Sequence, residues 1–130
     1  MRLGYTILYV PDVERAVTFY EDAFGLDRRF VHESGQYAEM ETGPTALAFA
    51  ADALASSNFD ADYRRADSAA PPAAFEITLV TDDVPKAFER AKEAGAAPLA
   101  EPTEKPWGQT VSYVRDLNGV IVELCTPVGG

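Results

Sequence analysis

The sequence predicts an α+β fold built from two copies of one βαβββ unit. The first observation behind this is a repeat. Tyr5-Thr-Ile-Leu-Tyr-Val-Pro-Asp12-Val13 recurs as Glu76-Ile-Thr-Leu-Val-Thr-Asp-Asp83-Val84, at the constant offset of 71 that separates Tyr5 from Glu76. The second is its order: an apolar strand, an Asp able to cap a helix, a helix stopped by glycine, then three strand segments. A repeat of this length makes two half-folds that pack together, and the place where halves meet suits a small molecule.

Leu3–Val10 is rich in Tyr, Ile, Leu and Val and reads as the first strand. Asp12 is a suitable N-cap for a helix whose apolar residues Val13, Ala16, Val17, Tyr20 and Phe24 follow the 3.6-residue period. Gly25 ends it. Asp27–His32, Gln36–Glu41 and Ala46–Ala50 follow as shorter strands, broken by Ser34-Gly35 and Gly43-Pro44. Ala51–Pro72, rich in Ala, Asp and Ser, is the connection, with a helical turn near Ala51–Ser56; a loop this long crosses between units or covers a site. Ala74–Thr81 opens the second copy. Asp83–Ala94 is its helix, with Pro85 in the first turn, where proline is tolerated. Pro98–Glu101, Thr110–Arg115 and Val120–Cys125 complete it, and Asp116–Gly119 is a tight turn. The expected organisation is one domain, with repeat one at 1–50, the connection at 51–72 and repeat two at 73–130.

At 130 residues the chain can bury a core of its own. No stretch approaches the roughly 18 apolar residues of a membrane span, and the first residues lack the basic-then-apolar pattern expected of a signal peptide. A soluble cytoplasmic protein is expected, with no membrane partner. Twenty-one acidic residues against 11 basic ones disfavour nucleic acid, whose affinity rests on neutralised phosphates. Such a charge keeps a protein soluble and attracts cationic ligands. Cys125 is the single cysteine, so neither an internal disulfide nor a cysteine-rich metal site is available.

The doubled unit, with Asp12-Val13 before the helix, Phe19-Tyr20 and Phe24-Gly25-Leu26 at its end, and Pro106-Trp107-Gly108 before the penultimate strand, resembles the vicinal oxygen chelate superfamily. This group includes glyoxalase I, bleomycin resistance proteins, fosfomycin resistance enzymes and extradiol dioxygenases. The ending Asp116-Leu-Asn-Gly119-Val-Ile-Val-Glu123-Leu resembles the family's D-P-x-G-N-x-x-E-L pattern. The resemblance implies a curved eight-stranded mixed sheet around a central cleft, helices on the outer face, and a homodimer. In the enzymes it also implies one divalent metal ion, held by the first and last strand of each half.

The family's first-strand ligand lies seven residues before the capping Asp, at Tyr5 and Glu76; its last-strand ligand falls at Ala48 and Glu123. Two of these four positions carry carboxylates. Ala48 has no donor atom, and a phenol with a pKa near 10 is a poor ligand. The single histidine, His32, lies near the Ser-Gly turn, away from all four positions. A site with two carboxylates and no imidazole is weak for zinc and its neighbours. If a metal were present, Glu76 and Glu123 would hold it. Cys125 has no basic neighbour in sequence and reads as a buried thiol.

Strand alternation gathers Tyr5, Ile7, Tyr9, Ala48, Glu76, Thr78, Val111, Tyr113, Ile121 and Glu123 on the cleft face, with Tyr37 and Glu39 from the third strand. Ala46, Ala48 and Ala50 share a face and leave room for something bulky. Trp107 from its loop and Phe59 from the connection would cap the mouth. Apolar walls, aromatics and a few acids suit a planar or cationic molecule. The expected function is metal-independent sequestration of such a compound, an antibiotic being one candidate, as in the bleomycin resistance branch, with no cofactor. The alternative is a divergent glyoxalase-type lyase or isomerase using Glu76 and Glu123 as metal ligands or base, with Tyr5 or Tyr113 as hydrogen-bond donor.

Overall fold

The computed structural model describes residues 1–129. Two compact units divide the chain, Met1–Arg65 and Ala66–Gly130, so the division falls inside the connection. The first unit holds β1 (Tyr5–Val10), α1 (Val13–Phe24), β2 (Arg28–Val31), β3 (Tyr37–Met40), β4 (Ala46–Ala51) and α2 (Asp52–Asn58). The second holds β5 (Glu76–Val80), α3 (Val84–Glu93), β6 (Ala97–Glu104), β7 (Thr110–Arg115) and β8 (Ile121–Cys125). The α+β class and the βαβββ repeat are therefore present. The eight strands, expected as one curved sheet, form two four-stranded mixed sheets ordered β1-β4-β3-β2 and β5-β8-β7-β6. In each, the first strand pairs in parallel with the fourth and the rest of the ladder is antiparallel.

The helices form where the apolar period and the caps coincide. The Asp12 carboxylate accepts from Arg15 N–H at 3.0 Å, and Asp83 accepts from Lys86 N–H at 3.1 Å. Each bond satisfies a backbone donor of the first turn, worth about 1 kcal/mol. α1 buries Val13, Ala16, Val17, Phe19, Tyr20 and Ala23 on one face. Tyr20 packs against Phe49 of β4 with ring centres 5.0 Å apart. In the second unit Phe88 of α3 is fully buried, as are Val114 and Val122 of β7 and β8. Burying a side chain of this size contributes roughly 2 kcal/mol.

β6 runs to Glu104, beyond the expected Pro98–Glu101. Its prolines are tolerated because it is an edge strand whose pairing with β7 is interrupted by register shifts at 98–100 and 100–103. The turn after β7 is held from both sides. Asp116 accepts at Oδ1 from the N–H groups of Asn118 and Val120. Arg115 donates to Gly119 O at 2.8 Å and to Ala70 O at 2.7 Å, which ties the connection to the turn.

Gly119 is required there by conformation and by space. Its φ is 89°, and a Cβ would lie 2.5 Å from Arg115 Nη2 and 2.9 Å from Ser68 Cα. Gly119→Ala is expected to cost about 3 kcal/mol, from left-handed backbone strain plus overpacking. Gly35→Ala has a similar φ of 72° but meets open space, and is expected to cost about 1 kcal/mol. Urea unfolding of the two variants checks this; equal losses would remove the role given to the Arg115 clasp.

Candidate functional site

In the second unit the parallel register sets Glu76 beside Ile121 and Thr78 beside Glu123, while Tyr113 of β7 lies opposite Glu123. Alternation then puts Glu76 and Thr78, Ile121, Glu123 and Cys125, and Val111 and Tyr113 on one face. Tyr113 donates its hydroxyl to Glu123 Oε1 at 2.9 Å, and Thr78 donates to Glu76 Oε2 at 3.3 Å. The Glu76 carboxyl is pushed above its ordinary value, first by lost hydration and then by the Glu123 carboxyl on the neighbouring strand, because like charges resist ionising together. Burial and then Glu123 push the Tyr113 phenol up to about 12. The same two causes raise the thiol of Cys125, which is buried.

Among the described residues, no Lys, Arg or His side chain forms an ion pair with Glu76 or Glu123. Arg115, on the same face of β7, is occupied by the carbonyls of Gly119, Ala70 and Asp67.

The first unit is built differently. β1 places Tyr5, Ile7 and Tyr9 beside Ala46, Ala48 and Ala50 of β4. The alanines are buried, whereas Tyr5 is 57% and Ile7 43% exposed. The acid on this face comes from β3: Glu39 stands opposite Ala48 and is only 8% exposed. It accepts from the Tyr37 hydroxyl at 2.8 Å and from Arg29 Nη1 at 3.1 Å, and Arg29 also forks onto Glu41. This carboxylate is neutralised by its own arginine. Alternation along β3 places Glu39 correctly, but Arg29 reaches it across the irregular β2–β3 register, which leaves no sequence period.

Phe59 lies against Tyr9, with ring centres 6.4 Å apart, and Tyr63 lies 5.2 Å from Tyr9. Tyr63 donates its hydroxyl to Asp52 of α2, which also pairs with Arg65 at 3.2 Å. Phe59 thus belongs to an aromatic group that fastens the connection to β1 and α2. Sequence reasoning missed Asp52, Tyr63 and Arg65. The signal available was that Arg64 and Arg65 are the sole basic residues in 51–72, directly after a tyrosine. His32 is exposed in the β2–β3 turn, its Nδ1 2.8 Å from Ser34 Oγ. Trp107, in the turn between β6 and β7, is 62% exposed. Its Nε1–H donates to Gln109 Oε1 at 2.8 Å, a partner sequence reasoning also missed.

The donor set does not fit a divalent metal centre. The second unit offers two carboxyls, each accepting from a hydroxyl, and the matching first-unit positions offer a phenol and a methyl group. Among the described residues no three His, Cys, Asp or Glu side chains gather to hold an ion. Nor is any helix among them long and apolar enough to cross a membrane.

Comparison with known proteins matches residues 2–124 to the family model described as Glyoxalase/Bleomycin resistance protein/Dioxygenase superfamily. The uncharacterized protein YraH of Bacillus subtilis (strain 168) is 23% identical over 125 residues, covering 95% of this chain and 97% of its own. The crystal structure of a glyoxalase-related enzyme from Fulvimarina pelagi superimposes with a TM-score of 0.83 at 20% identity, over 98% of this chain and 88% of that one. A glyoxalase/bleomycin resistance protein/dioxygenase family enzyme from Burkholderia phytofirmans PsJN gives 0.75 at 18% identity, over 97% and 98%. At these identities the structures share the fold.

The carboxyl pair has a consequence for stability. Because Glu76 binds its proton more tightly folded than unfolded, the stability this contributes is complete below the unfolded carboxyl pKa and is lost as pH rises through the raised folded value. Glu76→Gln is therefore expected to be more stable than the parent at pH 7 to 8, by about 0.5 kcal/mol after allowing for solvent screening of an exposed residue. The two proteins should converge near pH 4. Chemical unfolding at both pH values checks the sign; a Gln variant less stable at pH 7 would contradict the upward shift of Glu76.

Proposed function

Because the chain belongs to the glyoxalase/bleomycin resistance protein/dioxygenase superfamily, whose shared fold carries several chemistries, its function must be read from its own residues. We propose that it is a metal-independent small-molecule binding protein of the bleomycin-resistance type, sequestering an aromatic or cationic compound. The observation that carries this reading is the Glu76–Glu123 pair: two adjacent carboxyls on a sheet face, held by hydroxyl donors and left without a basic partner among the described residues.

A buried or half-buried carboxylate is ordinarily matched by a cation, as Glu39 is by Arg29. A ligand's basic group would supply that match and relieve the repulsion between the two carboxyls. Tyr113 and Trp107 offer aromatic faces in the same unit, where cation–π and stacking contacts add to the affinity. The first unit, taken by itself, offers the exposed Tyr5 and Ile7 beside an alanine row, a surface suited to a flat ring. A net charge of −10 favours approach of a cation. The reading extends to a cytoplasmic homodimer, supported by the open edge strands that a second copy would cover.

Calorimetric titration with quinacrine and ethidium, flat aromatic cations, tests the reading. Binding is expected in the presence of a chelator, with a loss of about tenfold or more in Glu76→Gln/Glu123→Gln. Absence of heat with either compound, together with turnover switched on by added metal, would overturn it.

A second reading is a glyoxalase-type lyase or isomerase in which Glu123 moves a proton and Tyr113 donates a hydrogen bond. Its support is the upward shift of the Glu76 carboxyl beside Glu123, which moves the group in the direction acid–base work requires. Any turnover that survives Glu123→Gln would remove it.

A further inference from the structure

An exposed tryptophan ordinarily samples several rotamers, yet Trp107 is tethered. Its indole N–H donates to Gln109 Oε1 at 2.8 Å, and the same amide donates through Nε2 to Thr126 O, also at 2.8 Å. The two bonds hold both ends of the Gln109 amide: its oxygen accepts from the ring, and its nitrogen donates to the backbone that follows β8. The turn beneath is closed by Lys105 N–H to Gln109 O at 2.7 Å and Gly108 N–H to Lys105 O at 2.8 Å.

Position on the sheet makes this tether relevant to the carboxyl pair. Residues 109, 111 and 113 alternate onto one face of the strand, and Val111 and Tyr113 stand opposite Cys125 and Glu123. Gln109, which holds the indole, and the Tyr113–Glu123 pair therefore lie along one face of the sheet. Four residues separate Gln109 from Tyr113, on the order of 13 Å along an extended strand. A ligand meeting both ends would be a flat ring system with its basic group on a spacer.

We propose that Gln109 is a positioning residue that holds the Trp107 indole as a fixed stacking platform for the planar part of a ligand whose basic group meets Glu76 and Glu123. This rests on the binding function proposed above. Fixing the ring beforehand removes part of the entropy lost on binding. Gln109 touches the ligand only through Trp107.

Trp107 is the one tryptophan of the chain, so its fluorescence reports this ring alone. Time-resolved anisotropy and acrylamide quenching would be compared in the parent, Gln109→Met, which keeps length without polar atoms, and Gln109→Glu, which keeps the acceptor for the indole. The Met variant is expected to show faster indole motion and stronger quenching, with the Glu variant returned toward the parent. Quinacrine affinity, read by quenching of Trp107, should fall about fivefold in the Met variant, the size of one lost hydrogen bond. An indole as restrained in Gln109→Met as in the parent, with quinacrine still bound, overturns the role of Gln109 alone. A parent that binds no quinacrine while its indole loosens in the Met variant overturns the binding function and with it the stacking role.

Discussion

The arrangement depends on parallel pairing between the first and last strand of each unit. A parallel pair cannot be joined by a tight turn, so the chain must leave, cross over and return. Here it leaves through a capped helix and returns through an antiparallel meander, giving the order 1-4-3-2 in both units. That pairing brings Glu76 and Glu123, 47 positions apart by number, onto neighbouring strands with their side chains on one face. A slip of one residue would turn Glu123 toward the helix side, where Val122 and Leu124 are buried. The caps, the α3 core and the Asp116–Gly119 turn matter to the site because they hold that register.

The two units use the same frame and resolve their acids differently. In the first, Glu39 sits among buried alanines with Tyr37 and Arg29 as partners, a closed set of charges. In the second, Glu123 receives a hydroxyl from Tyr113 and otherwise faces another carboxyl. A like-charge pair is a cost to folding, and such costs are retained at functional sites more readily than elsewhere. The asymmetry between the halves therefore directs attention to the second unit.

Much of this was legible in the sequence because it is carried by short-range patterns. Asp12 and Asp83 announce their helices, and a single acid among apolar alternating residues places Glu123 on a face. β6 continues to Glu104, past the expected Pro98–Glu101, because an edge strand with shifted register accommodates Pro102. Arg29, Asp52, Tyr63 and Gln109 were not legible as partners. Each acts through side-chain contacts across strands or along the connection, where neither period two nor period 3.6 applies. The separation of eight strands into two sheets follows from the ladder ends, which strand propensity does not encode.

The proposed binding function sets a ligand's cation beside Glu76 and Glu123, neighbouring carboxyls without a basic partner among the described residues. Carbon-detected NMR of the glutamate side-chain carboxyls, titrated with pH with and without quinacrine, is the test. Glu76 is expected to titrate above the ordinary value of 4.5, with a midpoint that falls when the cation is added. A Glu76 that titrates at its ordinary value, unmoved by the ligand, would contradict it.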